Sequence, residues 1–227
     1  MPIINRIADF HDEMIEWRHD IHSNPELAYQ EKRTAKKVAS LLKDFGVDKV
    51  VEGIGGTGVV GIINNGEGKK VALRADMDAL PIREVNQCDH ASNNDGVMHA
   101  CGHDGHTTML LGAAKYLAET RKFKGQVILV FQPAEEGPPP GEDGGARLML
   151  EEGAFDSPRP EVVFGLHASA HLNVGKVGYT PGGALAAVDH FRAVIRGRQA
   201  HGAAPQLSVD PVVMAAQSIT ALQTIRS

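Results

Sequence analysis

Val127-Ile128-Leu129-Val130-Phe131-Gln132-Pro133-Ala134-Glu135-Glu136-Gly137 is the stretch that decides the fold. Val127 to Phe131 is a continuous apolar run that does not alternate between core and solvent, so it reads as a strand buried on both faces. It runs directly into two adjacent carboxylates. Val71-Ala72-Leu73-Arg74-Ala75 leads in the same way into Asp76-Met77-Asp78, and the run Val162 to Leu166 leads into His167. A helix is expected between the first two strands, from His106 to Glu119, with Met109, Leu110, Ala113, Tyr116 and Leu117 turned inward. Strands alternating with helices imply an α/β sheet flanked by helices. Ligands of such sheets bind at the carboxyl ends of the strands, and these three ends point to one place.

Working outward, Ile3, Ile7, Phe10, Met14, Trp17 and Ile21 mark one face of an amphipathic helix, broken by Ser23-Asn24-Pro25. Val38, Leu41, Leu42 and Phe45 mark a second helix, with Gly46 at its C′ position. Val47 to Val51 and Val59 to Ile63 read as short strands. Between them, Gly53-Ile54-Gly55-Gly56-Thr57-Gly58 matches GxGxxG letter for letter. A dinucleotide fingerprint must open a helix, whereas a strand follows here, so a hairpin loop is the expectation. Asn64-Asn65-Gly66 reads as a second turn of that kind. Gly137 to Gly145 is a Pro/Gly-rich loop, followed by a helix to about Glu152 that stops at Gly153.

Around Thr180 to Ala187 the sequence becomes Gly/Ala-rich, which places a domain boundary there: residues 1–187 and 188–227. Phe191 to Ile195 is expected to be a strand. Asp210-Pro211 opens a helix, with Asp as N-cap and Pro at N1, and Val213, Ala216, Ile219 and Leu222 form its apolar stripe. One strand and one helix bury too little to close a core. The second domain is therefore expected to be cut short, and the chain to be a fragment with weak or no activity of its own.

Composition narrows the function. In 227 residues the net charge is −5, which argues against nucleic acid or an anionic membrane as partner. The N-terminus mixes charged and apolar residues, unlike a signal peptide or a membrane span. Two cysteines, Cys88 and Cys101, make no disulfide framework and fit a reducing cytoplasm.

The chemistry concentrates in His99-Ala100-Cys101-Gly102-His103-Asp104-Gly105-His106. Cys, His and carboxylate are the ligand types of zinc-like ions. Cys101 and His103 are one residue apart, so in an extended loop they would face the same way. Singly, each feature has an ordinary explanation: a small buried cysteine, solvated glutamates, strand-end aspartates. Together they converge on a single location, and a metal offsets the cost of burying Glu135-Glu136. His19 and His22 read as packing or capping residues, His171 as a loop residue, and Cys88 as lying in a polar loop. No nucleophile elbow is present.

Leu73 to Pro81, Met98 to Met109, Phe131 to Gly137 and Gly165-Leu166-His167 resemble the aminoacylase and carboxypeptidase-G-like metallopeptidase family. The resemblance is strongest to its branch of hippurate hydrolase, N-acetyl-diaminopimelate deacetylase and indoleacetyl-amino-acid hydrolase. Arg18 to Glu31 and Ala200-His201-Gly202-Ala203-Ala204-Pro205 resemble the same branch. The resemblance implies a zinc-peptidase-like α/β catalytic domain, with an inserted α+β lid domain that mediates homodimerisation. It implies two divalent ions (Mn, Zn, Co or Ni), with Cys101, His103, Glu136 and His167 as ligands. It further implies Glu135 as general base, Asp78 as the aspartate that orients the site, and His201 as a lid histidine that, in related enzymes, reaches a partner subunit's site and steadies the oxyanion. Family members continue further and supply one more ligand histidine. The reaction implied is hydrolysis of an N-acyl amino acid by a metal-activated water. A non-catalytic metal-binding or dimerising fragment and a dipeptidase are the alternatives.

Overall fold

The computed structural model describes residues 4–185 and 191–225. It divides into two compact units, Met1–Lys176 and Val177–Ser227.

In the first unit, α1 (Asn5–Ala8) and α2 (His11–Ser23) precede α3 (Lys32–Asp44). The expected first helix is thus two, parted at Asp9-Phe10; Phe10 is buried at the break, with Trp17 and Ile21 buried along α2. Ile3 lies outside the described residues. Gly46 follows α3 at φ +78, a value that suits the C′ position.

A five-stranded sheet follows, built from β1 (Lys49–Ile54), β2 (Gly58–Asn65), β3 (Lys70–Asp76), β4 (Gly125–Gln132) and β5 (Val162–Gly165) in the order β1-β2-β4-β3-β5. β1 and β2 pair antiparallel around the glycine-rich turn, so the hairpin expectation holds. The turn after β2 is not a hairpin. β4 lies between β2 and β3, antiparallel to the first and parallel to the second, because the chain leaves β3 through α4 (His103–Thr120) before returning as β4. β5 continues the parallel part beside β3. α5 (Gly145–Glu151) follows the Pro/Gly-rich loop, and Gly153 lies just beyond it.

Val127 to Phe131 of β4 is an unbroken apolar run because both faces of the strand are covered. Val127, Leu129 and Phe131 pack with Trp17, Val38, Leu42, Leu110, Leu111 and Ala114 from α2, α3 and α4. Ile128 and Val130 pack with Val60, Ile62, Ala72, Met149 and Ala154 on the other side. Each fully buried side chain of this size stabilises the fold by about 1.5–3 kcal/mol.

Two expectations about burial change. α4 turns Leu110, Leu111, Ala114 and Ala118 inward, while Met109 is exposed; the helix starts three residues earlier than expected, at His103, and the face that meets the sheet is the one that carries His103 and Thr107. β5 is not buried, with Val163 49% and Phe164 58% exposed, because it is the edge of the sheet among the described residues of its unit.

In the second unit, α6 (Pro211–Leu222) has the expected cap: Asp210 Oδ1 accepts the amide of Val212 at 2.8 Å, and Pro211 is the first helical residue. Phe191 to Ile195 forms no strand. The unit's described residues pair only at the Arg198↔Val209 bridge, so that run has no partner with which to build a ladder. The stripe Val213, Ile219 and Leu222 is exposed. Among the described residues, no helix is long and apolar enough to cross a membrane.

Candidate metal centre

The parallel strands β3, β4 and β5 end side by side, with Asp76 opposite Gln132 and Arg74 opposite Gly165. Asp76-Met77-Asp78, Ala134-Glu135-Glu136 and His167 therefore leave the sheet at the same edge. α4 enters that edge with its N-terminus. Gly102, at φ +91, precedes the helix, so His103 is its first residue. Cys101 and His103 reach one site because a left-handed glycine turns the chain between them, not because the loop is extended.

His103 is fully buried, and its Nδ1 donates to the backbone carbonyl of Asp78 at 2.8 Å. That bond fixes the tautomer and leaves the Nε2 lone pair pointing into the site. Nε2 lies 3.6 Å from Glu136 Oε1 and 3.7 Å from Glu135 Oε2. Cys101 Sγ is 3.4 Å from His167 Nε2, while His167 Nδ1 bonds the carbonyl of Ala168 at 2.6 Å. The ligand atoms of Cys101, His103 and His167 lie within 4.8 Å of one another, as do those of His103, Glu135 and Glu136. His103 links the two sets.

This donor set fits a metal. His103 Nε2 and Glu136 Oε1 are buried with no hydrogen-bond partner, and such orphans are costly unless something else engages them. The electrostatics agree. Burial and the nearby carboxylates Glu136, Glu135 and Asp76 push the Cys101 thiol up to about 12. Burial opposes a charge on His103, but Asp78, Asp76 and Glu136 outweigh it and raise its pKa. The same negative field disfavours the thiolate and favours positive charge at the site, and a divalent cation would relieve it.

A third triple, Asp76, His103 and His106, is equally compact, but Asp76 and His106 are already engaged elsewhere. His106 Nδ1 bonds Asp76 Oδ1 at 2.7 Å, its Nε2 accepts the amide of Ala168 at 2.7 Å, and Arg74 Nη1 donates to Asp76 Oδ2 at 2.6 Å. His106 thus ties the end of β3 to the loop that carries His167, with no nitrogen left for a metal.

Asp78 Oδ2 accepts the amide of Glu136 at 2.8 Å. Glu135 is more open, with its side chain 37% exposed against 20% for Glu136. His201 belongs to the second unit, where its Nδ1 accepts the amide of Ala203 at 3.1 Å. His171 is an exposed turn residue and Cys88 is exposed and free.

His22 is buried in the last turn of α2, as a packing residue would be, but it does more than pack. Its ring bridges two carboxylates, Asp104 Oδ2 at 3.0 Å and Glu84 Oε1 at 3.2 Å, and these raise its pKa against the effect of burial. His19 stacks on His90 with ring centroids 3.9 Å apart. Buried Asp104, which also accepts from Arg18 Nε at 3.0 Å, was not singled out in sequence, although its place beside His103 at a helix start was a usable signal.

A family model for peptidase family M20/M25/M40 matches residues 72–225. The chain belongs to this family. Its M20 relatives include the hippurate hydrolase of Campylobacter jejuni, 46% identical over 228 residues, covering 100% of this chain and 58% of that protein. The IAA-amino acid hydrolase ILR1-like 2 of Arabidopsis thaliana is 48% identical over 217 residues, covering 95% of this chain and 48% of that protein. The chain thus spans about half the length of the curated relatives it matches. Among solved structures, the YXEP protein of Bacillus subtilis, described as a dinuclear metal-binding peptidase of the M20 family, superimposes with a TM-score of 0.69 at 39% identity, covering 76% of this chain and 47% of that chain.

Proposed function

We propose that this M20 chain is the metal-bearing part of an amidohydrolase that cleaves N-acyl amino acids, with Cys101, His103, Glu136 and His167 holding a pair of divalent ions. The observation that carries this reading is the pair of buried, unpartnered atoms, His103 Nε2 and Glu136 Oε1, beside the more open Glu135. The names of both curated relatives specify a substrate in which an acyl group is joined to an amino acid.

When bound, the ions would supply Lewis acidity and lower the pKa of water at the site. The carboxylate of Glu135 takes a proton from the attacking water as its oxygen bonds to the acyl carbon. Glu135 then passes that proton to the nitrogen as the C–N bond breaks, and the acyl group leaves as a carboxylic acid whose remaining proton passes to the amine of the freed amino acid or to solvent. Glu135 suits this shuttle because nothing commits it as firmly as Glu136 is committed. Asp78 orients the site through the Glu136 amide and through its own carbonyl on His103. The ring N–H of His201, carried by a lid that begins near residue 188 and also mediates homodimerisation, is assigned to the oxyanion. A cytoplasmic location fits the free cysteines.

The test is a panel of hippurate, N-acetyl amino acids, indoleacetyl amino acids and unblocked dipeptides. It is run on metal-stripped full-length protein resupplied with Mn, Zn, Co or Ni. Metal-dependent cleavage of the acyl amino acids supports the reading. Cleavage of dipeptides alone would make it a dipeptidase, and tight metal binding with no turnover of any member would make it a non-catalytic module.

A further inference from the structure

The glycine-rich turn between β1 and β2 resembles a nucleotide fingerprint in letters, and its position in the fold gives it a different role. Thr57, in that turn, donates from Oγ1 to Oε2 of Glu31 at 2.5 Å. Glu31 is fully buried, and its other oxygen, Oε1, accepts the amide of Ala134 at 2.8 Å. Ala134 is 1% exposed and sits at φ +47, immediately before Glu135-Glu136. A residue with a Cβ loses roughly 1–2 kcal/mol in the left-handed region, and holds it only where its surroundings dictate it. Two bonds do so here: the Ala134 amide is held by Glu31, and its carbonyl accepts the amide of Gly145 at 3.2 Å.

The approach of the turn is close. Gly56 is at φ +89, and a Cβ added there would lie 3.3 Å from Cδ1 of Tyr29, two residues before Glu31. Burial pushes the pKa of Glu31 up, while the bonds from Thr57 and Ala134 favour its charged form. A buried carboxylate is expensive to keep, and its bonds here serve a backbone conformation more than they serve packing.

We infer that Glu31, anchored by Thr57, is a positioning residue that locks Ala134 in the left-handed conformation and so sets the directions in which Glu135 and Glu136 leave β4. The inference rests on the metal centre proposed above. Without the clamp, Ala134 relaxes towards the commoner right-handed or extended regions, Glu136 Oε1 swings away from His103 Nε2, and the site loses its shape.

The experiment measures metal affinity by chelator competition, and the visible absorption of the Co(II) form, on full-length protein. It compares the parent with Thr57→Val, Glu31→Ala, and Glu31→Ala combined with Ala134→Gly. Thermal unfolding of the metal-free proteins shows which variants fold. Thr57→Val, the gentler change, is expected to weaken metal binding several-fold and to alter the Co(II) spectrum. Glu31→Ala is expected to weaken it at least roughly tenfold, the scale of lost support around a ligand. Glycine adopts a positive φ without steric cost, so Ala134→Gly should restore part of the affinity lost in Glu31→Ala. Variants whose melting falls while affinity and spectrum stay at parental values would show a merely structural role and overturn the inference alone. A double variant with no recovery would also overturn it. A parent that takes up no metal would overturn the metal centre and this inference with it.

Discussion

The amide of Glu136 donates to Oδ2 of Asp78 at 2.8 Å, while the backbone carbonyl of the same Asp78 receives Nδ1 of His103 at 2.8 Å. One residue just past β3 therefore orients two expected ligands that come from β4 and from α4. Asp78→Ala keeps the carbonyl but removes the carboxylate that holds Glu136. Metal affinity, followed by competition with a chelator, should fall about 10–100-fold. Asp78→Asn keeps an acceptor for the Glu136 amide and should lose less. An Ala variant with parental affinity would remove Asp78 from its orienting role.

Cys101 provides a test through pH. Its thiol is held protonated by burial and by Glu136, Glu135 and Asp76, with a pKa pushed up to about 12, whereas a bound metal needs the thiolate. Metal uptake must then expel a proton, so affinity should rise with pH across the neutral range, by up to about tenfold per unit. Calorimetric titration in buffers of different ionisation enthalpy counts that proton. Cys101→Ala should lower metal content and reduce the proton release, whereas exposed Cys88→Ala should change neither. Equal proton release in Cys101→Ala and the parent would mean that Cys101 is not a ligand.

The strands that carry the site could be read from the sequence because β4 and its neighbours pack on two faces, and that leaves unbroken apolar runs ending in chemistry. β5 has the same apolar run but lies at the sheet edge, and a run of apolar residues does not tell an edge from a centre. Cys101 and His103 could be read as partners, but the geometry that joins them could not: it depends on φ at Gly102, and a glycine letter permits many conformations. Glu31 and Thr57 gave no sequence signal for their contact, because they meet only through tertiary packing of a turn against the segment after α2. His106 reads from the sequence as a spare ligand candidate at the end of the Cys/His run, but the partners that occupy both its nitrogens, Asp76 and Ala168, come from distant parts of the chain.

His99 should set part of the acid limit of stability. It is 4% exposed, both its ring nitrogens lack partners, and burial pushes its pKa down from 6.5 to about 4. The folded form is thus neutral in a range where the unfolded chain takes a proton. Its contribution is complete above the unfolded value of 6.5 and is lost as pH falls towards about 4, at up to about 1.4 kcal/mol per pH unit. His22 acts in the opposite sense, since Asp104 and Glu84 raise its pKa and its contribution is lost as pH rises. Comparing slopes isolates His99. Urea unfolding of metal-stripped protein should show a shallower acid decline for His99→Gln than for the parent, and matching slopes would contradict a buried neutral His99.

The last prediction separates the two adjacent glutamates. Glu136 is fixed by its amide on Asp78, and its Oε1 is buried without a partner beside His103 Nε2, which suits a permanent ligand. Glu135, with its side chain 37% exposed and Oε2 3.7 Å from the same nitrogen, keeps the freedom a proton carrier needs. Glutamine distinguishes the two because it preserves shape and one acceptor oxygen but can neither take up nor return the proton. Glu135→Gln should therefore keep its metal content by elemental analysis while kcat falls by about 10²–10⁴. Glu136→Gln should lose metal affinity first, with activity partly restored by excess metal because the shuttle is intact. If Glu135→Gln emptied the site while Glu136→Gln stayed fully loaded and inactive, the roles of the two residues would be exchanged.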